Sequence, residues 1–189
     1  MTDDAFMPET ALRLFIGLQP DAAVQADLQK HQKLWRWSAT ARPFEVELFH
    51  MTLHCLGWVH SARLRELQQA LATVPFEPFS LVLRTPALWE VAVLLADDNV
   101  ALDDLRLRLL VPLMRMGLQV DGHWTPHVTL ARKAKRSVPP VHCFPVHWAA
   151  SHFSLVLSTP LSRPPYVRHE VLKRYPTQAC TSISTRAPL

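Results

Sequence analysis

The chain has 189 residues, is 49% hydrophobic, and carries Lys+Arg 20 against Asp+Glu 16, a formal net charge of +4 with a sequence pI near 9.3. That content supports a sizeable core, no stretch approaches the roughly 20 apolar residues that span a bilayer, and the mild basic surplus favours polyanionic partners. With 4 glycines and no phosphate-loop or Ser-His-Asp signature, dinucleotide binding and serine hydrolysis have no support. Three cysteines, Cys55, Cys143 and Cys180, form no CxxC pair, which argues against a disulfide framework and for a reducing, cytoplasmic setting. The first ten residues, Met1 to Thr10, are short and acidic and read as a tail without a secretory or mitochondrial leader; residues 11–189 read as one domain, expected to be monomeric.

Arg13 to Leu18 (RLFIGL) reads as a buried strand. Gln19-Pro20-Asp21 ends it and opens a helix through Trp35, with Val24, Leu28 and Leu34 inward. After a loop marked by Ser38 and Pro43, Leu48 to Leu56 reads as a second strand closed by Gly57. Ser61 caps a helix striped by Leu64, Leu67 and Leu71, with Pro75 beyond its end. Phe79 to Leu83 and Leu88 to Ala96 read as neighbouring strands turning around Thr85-Pro86. Asn99 caps a helix to about Met116, with Leu102, Leu105, Leu109 and Leu113 inward, which Pro112 should kink or shorten before the stop at Gly117. His127 to Ala131 is a strand followed by a basic, proline-bearing loop from Arg132 to Pro140. Phe153 to Leu157 and Tyr166 to Leu172 are the last two strands, separated by Pro160, Pro164 and Pro165. This order predicts an α+β fold with mainly antiparallel sheets, and a histidine-bearing strand near a leucine-striped helix in each half predicts two related lobes.

The chemistry concentrates in two tetrapeptides of one pattern, His50-Met51-Thr52-Leu53 and His127-Val128-Thr129-Leu130. Ten histidines yield only about 0.1 such matches by chance in this composition. In a strand, His50 and Thr52 point to one face and Met51 and Leu53 to the core; His127 and Thr129 repeat this against Val128 and Leu130. Two such strands facing one another bring two imidazoles and two hydroxyls to one point. That set suits in-line attack on a cyclic phosphodiester: one imidazole takes a proton from water, the other gives one to the departing ribose oxygen, and the threonines donate to the nonbridging oxygens. The scheme needs no metal and no cofactor.

The segments RLFIGL, HMTLHCLGWV and PHVTLAR resemble, in order and spacing, the two-histidine phosphoesterase superfamily, and within it the LigT-like RNA 2′,3′-cyclic phosphodiesterase (ThpR) branch, also called 2′-5′ RNA ligase. The resemblance spans about residues 12 to 175. It implies a bilobal α+β fold, with two mainly antiparallel sheets related by a pseudo-twofold axis around a central groove and helices outside. It also implies hydrolysis of a terminal 2′,3′-cyclic phosphate on RNA or nucleotides to a 2′-phosphate. By motif position His127 is the base for water and His50 the acid for the 3′ oxygen, with the reverse assignment open; Thr52 and Thr129 hold phosphate oxygens and Arg132 adds charge-assisted contacts. Strict alternation puts Arg132 on the face opposite His127, so reaching the groove requires a strand end or a bulge. Where that family usually continues Phe-Leu-Gly, this chain has Cys55-Leu56-Gly57, and the parity of Cys55 predicts a change of core packing.

Competing readings remain. His50/His54 and His123/His127 are four apart, the helical spacing of zinc ligands, but in a strand four residues cover roughly 13 Å, too far for one ion. Phe15 and Trp124 are candidates for stacking a nucleobase, among six tryptophans most of which should be core. The same two imidazoles could join RNA ends through a 2′-5′ bond or cleave one. A noncatalytic RNA or nucleotide binding module is the reading from another class, against which the paired proton donor and acceptor argue.

Overall fold

The computed structural model describes residues 10–119, 122–164 and 166–176. Residues 1–9 of the expected tail and Cys180 lie outside them. Among the described residues, nine strands form two antiparallel sheets. The first contains β1 (Ala11–Leu18), β3 (Met51–His60), β8 (His152–Pro160) and β9 (Val167–Pro176), in the order β3-β1-β8-β9. The second contains β2 (Arg42–Pro43), β4 (Phe79–Leu88), β5 (Ala92–Ala96), β6 (His127–Arg132) and β7 (Val146–Ala150), in the order β2-β6-β5-β4-β7.

Leaving aside the two-residue β2, the sheets repeat one plan. Each begins with a histidine-bearing strand, β3 or β6, paired antiparallel to the strand that precedes a helix, β1 or β5. Helix α1 (Ala22–Lys33) follows β1 and helix α3 (Val100–Arg115) follows β5, so each half is a strand-helix-strand unit with the histidine at the start of its second strand. The lobes are interleaved in sequence, because the C-terminal hairpin β8-β9 returns to complete the N-terminal sheet.

Local chemistry explains the helices. Asp21 caps α1 by accepting from the Val24 amide at 2.9 Å, and Lys30, His31 and Lys33 stand in its last turn where the dipole favours cations. Asn99 caps α3 by accepting from the Leu102 amide at 3.0 Å, and Leu102, Leu105, Leu109 and Leu113 are buried. Pro112 neither ends nor shortens that helix, which runs on to Arg115. Leu34, expected inward, is the exposed residue after α1, and Trp35 is buried in its place. Helix α2 (Leu64–Ala72) begins after a short 3₁₀ turn over Ser61–Arg63, where the His60 ring rather than the Ser61 hydroxyl accepts the first amide.

Two strand expectations need correction. β4 runs straight through Thr85-Pro86, and the chain reverses at Trp89 to Val91 instead, where the Trp89 amide donates to the Val91 carbonyl. Pro86 is tolerated because β4 and β5 shift register close by, between Leu83 and Thr85. β7 has no clear sequence signal, since VHWAA is only five residues long with His147 as its one polar residue, yet Val146, Trp148 and Ala150 alternate inward and Trp148 is fully buried.

The core is continuous from Leu14, Leu53 and Phe153 of the first sheet to Leu83, Leu94 and Val128 of the second. Buried Gln32 ties α1 to it by donating to the carbonyls of both Phe44 and Leu130, at 2.9 and 2.8 Å. Among the described residues, no helix is long and apolar enough to cross a membrane. Gly17 sits where β1 passes the first motif, and a Cβ there would come 2.7 Å from the Met51 carbonyl oxygen. Gly17→Ala should therefore cost about 1–3 kcal/mol in a denaturant titration, and an unchanged midpoint would mean that β3 can shift to admit a methyl group.

Candidate active site

The two motif histidines are held by the same device. His50 follows the 3₁₀ turn Val46–Leu48 and immediately precedes β3, and its Nδ1 donates to the Leu48 carbonyl at 2.7 Å. His127 opens β6, and its Nδ1 donates to the Thr125 carbonyl, also at 2.7 Å. In both cases the acceptor lies two residues back. A carbonyl can only accept, so Nδ1 carries the proton in the neutral ring and Nε2 is left to take or give one. Ring contacts fix the planes: His50 packs against Phe15 at 4.7 Å and His169 at 4.8 Å between centroids, and Trp89 meets His127 edge-on at 5.0 Å.

Two adjoining cavities receive these rings. One, of about 160 Å³, is walled by Arg13, Phe15, His50, Arg132 and His169. The other, of about 330 Å³, is walled by Trp89, Trp124, Thr125 and His127. Thr52 and Cys55 belong to the walls of both, so the cavities meet at the first motif strand. The Trp124 Nε1 donates to the Thr52 carbonyl at 2.9 Å, which ties the approach to the second motif onto the first. Thr129 is half-buried between His127 and Arg132.

Bulges decide which side chains reach this groove. Against β1, β3 slips one residue at Leu53 and again at Leu56, the second slip passing into Gly57 at φ +64°. The first slip buries Leu53 and His54 consecutively and turns Cys55 outward to the groove. Cys55 is thus not a core residue, and His54 does not share the face of His50: it is buried, with Nε2 donating to the Arg106 carbonyl at 2.9 Å. The pairing of β6 with β5 slips at Leu130, so Leu130 and Ala131 are both buried and Arg132 returns to the face of His127 and Thr129. Its guanidinium lies 5.3 Å over the Phe44 ring.

The two stacking candidates occupy different settings. Phe15 is only 7% exposed and its ring is engaged by His50 and His169, so it positions the imidazole and offers no open face to a base. Trp124 lines the larger cavity with the Arg106 guanidinium 5.0 Å over its ring. Trp89, which sequence reasoning passed over, is 44% exposed in the same wall. His169 and Arg13 were also missed as groove residues; the parity of Arg13 with Phe15 in RLFIGL was the available signal for one, and His169 had none. Among the described residues, no group of three or more His, Cys, Asp or Glu gathers in a way that could hold a metal ion.

The smaller cavity is strongly cationic. Burial pushes the His50 imidazole down to about 4, the Nδ1 hydrogen bond opposes this, and the charges of His127 and Arg132 push it further down. His169 is also held at about 4, by burial first and then by His50, Arg132 and Arg13. Both rings are neutral at neutral pH. Because each folded-state value lies below the ordinary 6.5, the fold keeps its full stability above about pH 6.5 and loses it as pH falls toward about 4. The loss from this pair should be on the order of 4 kcal/mol, most of it from His50 once His169 is discounted for solvent. Denaturation at a series of pH values should show it, and His50→Gln/His169→Gln should flatten the slope; an identical slope in the double variant would show that the rings titrate normally.

No protein-family model and no curated protein matches the sequence. Among solved structures, E. coli LigT complexed with 3′-AMP superposes with a TM-score of 0.75 at 23% identity, covering 89% of this chain and 99% of that one. TT0787 of Thermus thermophilus gives 0.71 at 24% identity, over 87% and 97% of the two chains. The MHV ns2 PDE domain gives 0.52 at 14% identity, over 78% and 99%. E. coli LigT has also been solved with phosphate, ATP and NADP+. A superposition over nearly the whole of each neighbour establishes that this chain, with its two antiparallel sheets, has the LigT-type fold.

Proposed function

We propose that this protein hydrolyses terminal 2′,3′-cyclic phosphates on RNA to 2′-phosphates, with His50 and His127 exchanging the protons. The observation that carries this reading is the repeated imidazole device: two rings, each tied through Nδ1 to the carbonyl two residues back, with Nε2 free in adjoining cavities. Binding alone needs no such pair. The likeness to LigT, solved with nucleotides and phosphate, supports a phosphodiester as the substrate class.

The phosphate sits among Arg13, Arg132 and His169, with Thr52 and Thr129 donating to its nonbridging oxygens. Water attacks phosphorus as its proton passes to Nε2 of His127. The bond to the 3′ oxygen breaks, and that oxygen takes the proton held by His50, leaving a 3′ hydroxyl and a 2′-phosphate. The anion bound beside His50 offsets the neighbouring cations and favours its charged form. The reversed assignment, His50 as base, differs in its pH profile. Should His50 have to be protonated in the free protein, kcat/KM falls as pH rises above about 4; should it have to be neutral, kcat/KM climbs through that value. The terminal base lies in the larger cavity, against Trp89 and Trp124.

The deciding experiment is hydrolysis of a nucleoside 2′,3′-cyclic phosphate with chelator present, followed by identification of the oxygen that keeps the phosphate. Chelator-resistant release of the 2′-phosphate is the expected result. Binding without turnover would decide for a noncatalytic module, and loss of activity to chelator for a metal enzyme.

A further inference from the structure

Beyond Arg132 the groove continues into a third cavity, of about 440 Å³, between β2, the end of β6 and the loop before β9. That volume is in the range that holds a small ligand such as a nucleotide. Its walls carry Arg42, Phe44, Lys133 and Tyr166, and Arg132 is common to it and to the cationic cavity around His50. Two cation-aromatic stacks line it: the Arg42 guanidinium lies 4.2 Å over the Tyr166 ring and the Arg132 guanidinium 5.3 Å over Phe44. Three cations face it against the single carboxylate of Glu45.

The backbone is strained at the same place. Among the described residues, the two non-glycine positions with positive φ are Lys133 at 52° and Tyr166 at 66°, and both belong to this wall. Such conformations persist where surrounding contacts impose them and cluster at ligand sites. Here Thr40 Oγ1 donates to the Lys133 carbonyl at 3.2 Å, the Tyr166 amide donates to the Arg163 carbonyl at 2.8 Å, and the Tyr166 carbonyl accepts from Leu161 at 3.0 Å.

Ribose geometry gives the cavity its occupant. On a 2′,3′-cyclic phosphate the base leaves one end of the C2′–C3′ edge and the 5′ carbon leaves the other. With the terminal base against Trp89 and Trp124 beside His127, the 5′ carbon points past Arg132. We propose that the Arg42, Phe44, Lys133 and Tyr166 cavity is a subsite for the nucleotide on the 5′ side of the reacting one. Arg42 and Lys133 hold the linking phosphodiester and Tyr166 carries the base or ribose. The substrate class is then the end of an RNA strand in preference to a lone nucleotide. This inference rests on the cyclic-phosphate reading above.

The test compares a mononucleotide and a dinucleotide that both end in a 2′,3′-cyclic phosphate. The dinucleotide should show a kcat/KM roughly tenfold higher. Arg42→Ala, and Tyr166→Asn, which removes the ring yet tolerates positive φ, should each erase that advantage and leave the mononucleotide within about twofold. A dinucleotide no better than the mononucleotide, or variants that slow both substrates equally, would overturn the subsite. Calorimetry with a nucleoside 3′-phosphate and a dinucleotide 3′-phosphate separates the two readings. Tighter dinucleotide binding that depends on Tyr166, in a protein that turns over neither cyclic substrate, would uphold the subsite and sink hydrolysis; equal binding would sink the subsite alone.

Discussion

His50→Ala and His127→Ala are each expected to lower kcat by roughly 10² to 10⁴, with the fold intact by circular dichroism. The magnitude follows from what each ring can do. With Nδ1 held by a backbone carbonyl, Nε2 of each ring is the atom left to exchange a proton with the substrate, and alanine offers no replacement. The two losses should not add. If proton removal and delivery are concerted at one phosphorus, losing either leaves the same slow path, and the double variant should be about as slow as the worse single. The variants also differ structurally: removing the His50 ring takes away the partner of Phe15 and His169, whereas removing His127 takes away one edge contact with Trp89. His50→Ala should therefore lose more stability than His127→Ala. Single-turnover hydrolysis checks the rates, and a variant with a near-normal rate would remove that histidine from the mechanism.

What the sequence makes legible here is local. The helix opening at Asp21, the cap at Asn99, the leucine stripe of α3 and the paired HxTL strands each depend on residues within one or two turns or on strand alternation, and each lies where that logic places it. What alternation cannot supply is the partner strand. The slips at Leu53, Leu56 and Leu130 arise from pairing with β1 and β5, residues distant in sequence, and each inverts the face of everything that follows. That is why Cys55, read as a core position, forms groove wall, and why His54 is buried away from His50. Cys55, where the family that the sequence resembles usually has Phe, consequently bears on the wall between two cavities rather than on the packing of the interior. His169 was beyond reach for a different reason: it comes to His50 only because β9 returns to the far side of the first sheet, a matter of topology that its neighbours in sequence do not encode.

Arg132→Ala should lower kcat/KM by roughly 10- to 100-fold, the loss of one or two charge-assisted contacts to phosphate. The slip at Leu130 is what makes this expectation physical, since strict alternation would have sent the side chain to the opposite face. Arg132→Lys keeps the charge but loses the planar fork and the stack on Phe44, and should recover only part of the rate. A second readout is independent of turnover. The Arg132 charge helps push the His50 imidazole down, so Arg132→Ala should move His50 upward from about 4 toward its ordinary value, although burial, the larger cause, still holds it low. A titration of the imidazole resonances by NMR would record that movement, and inorganic phosphate added to the unaltered protein should move His50 in the same direction, because an anion beside the ring does what removing a cation does. An Arg132→Ala protein with kcat/KM within about twofold of normal and an unmoved His50 would leave Arg132 a solvated residue at the mouth of the groove, and phosphate binding would then rest on Arg13 and His169.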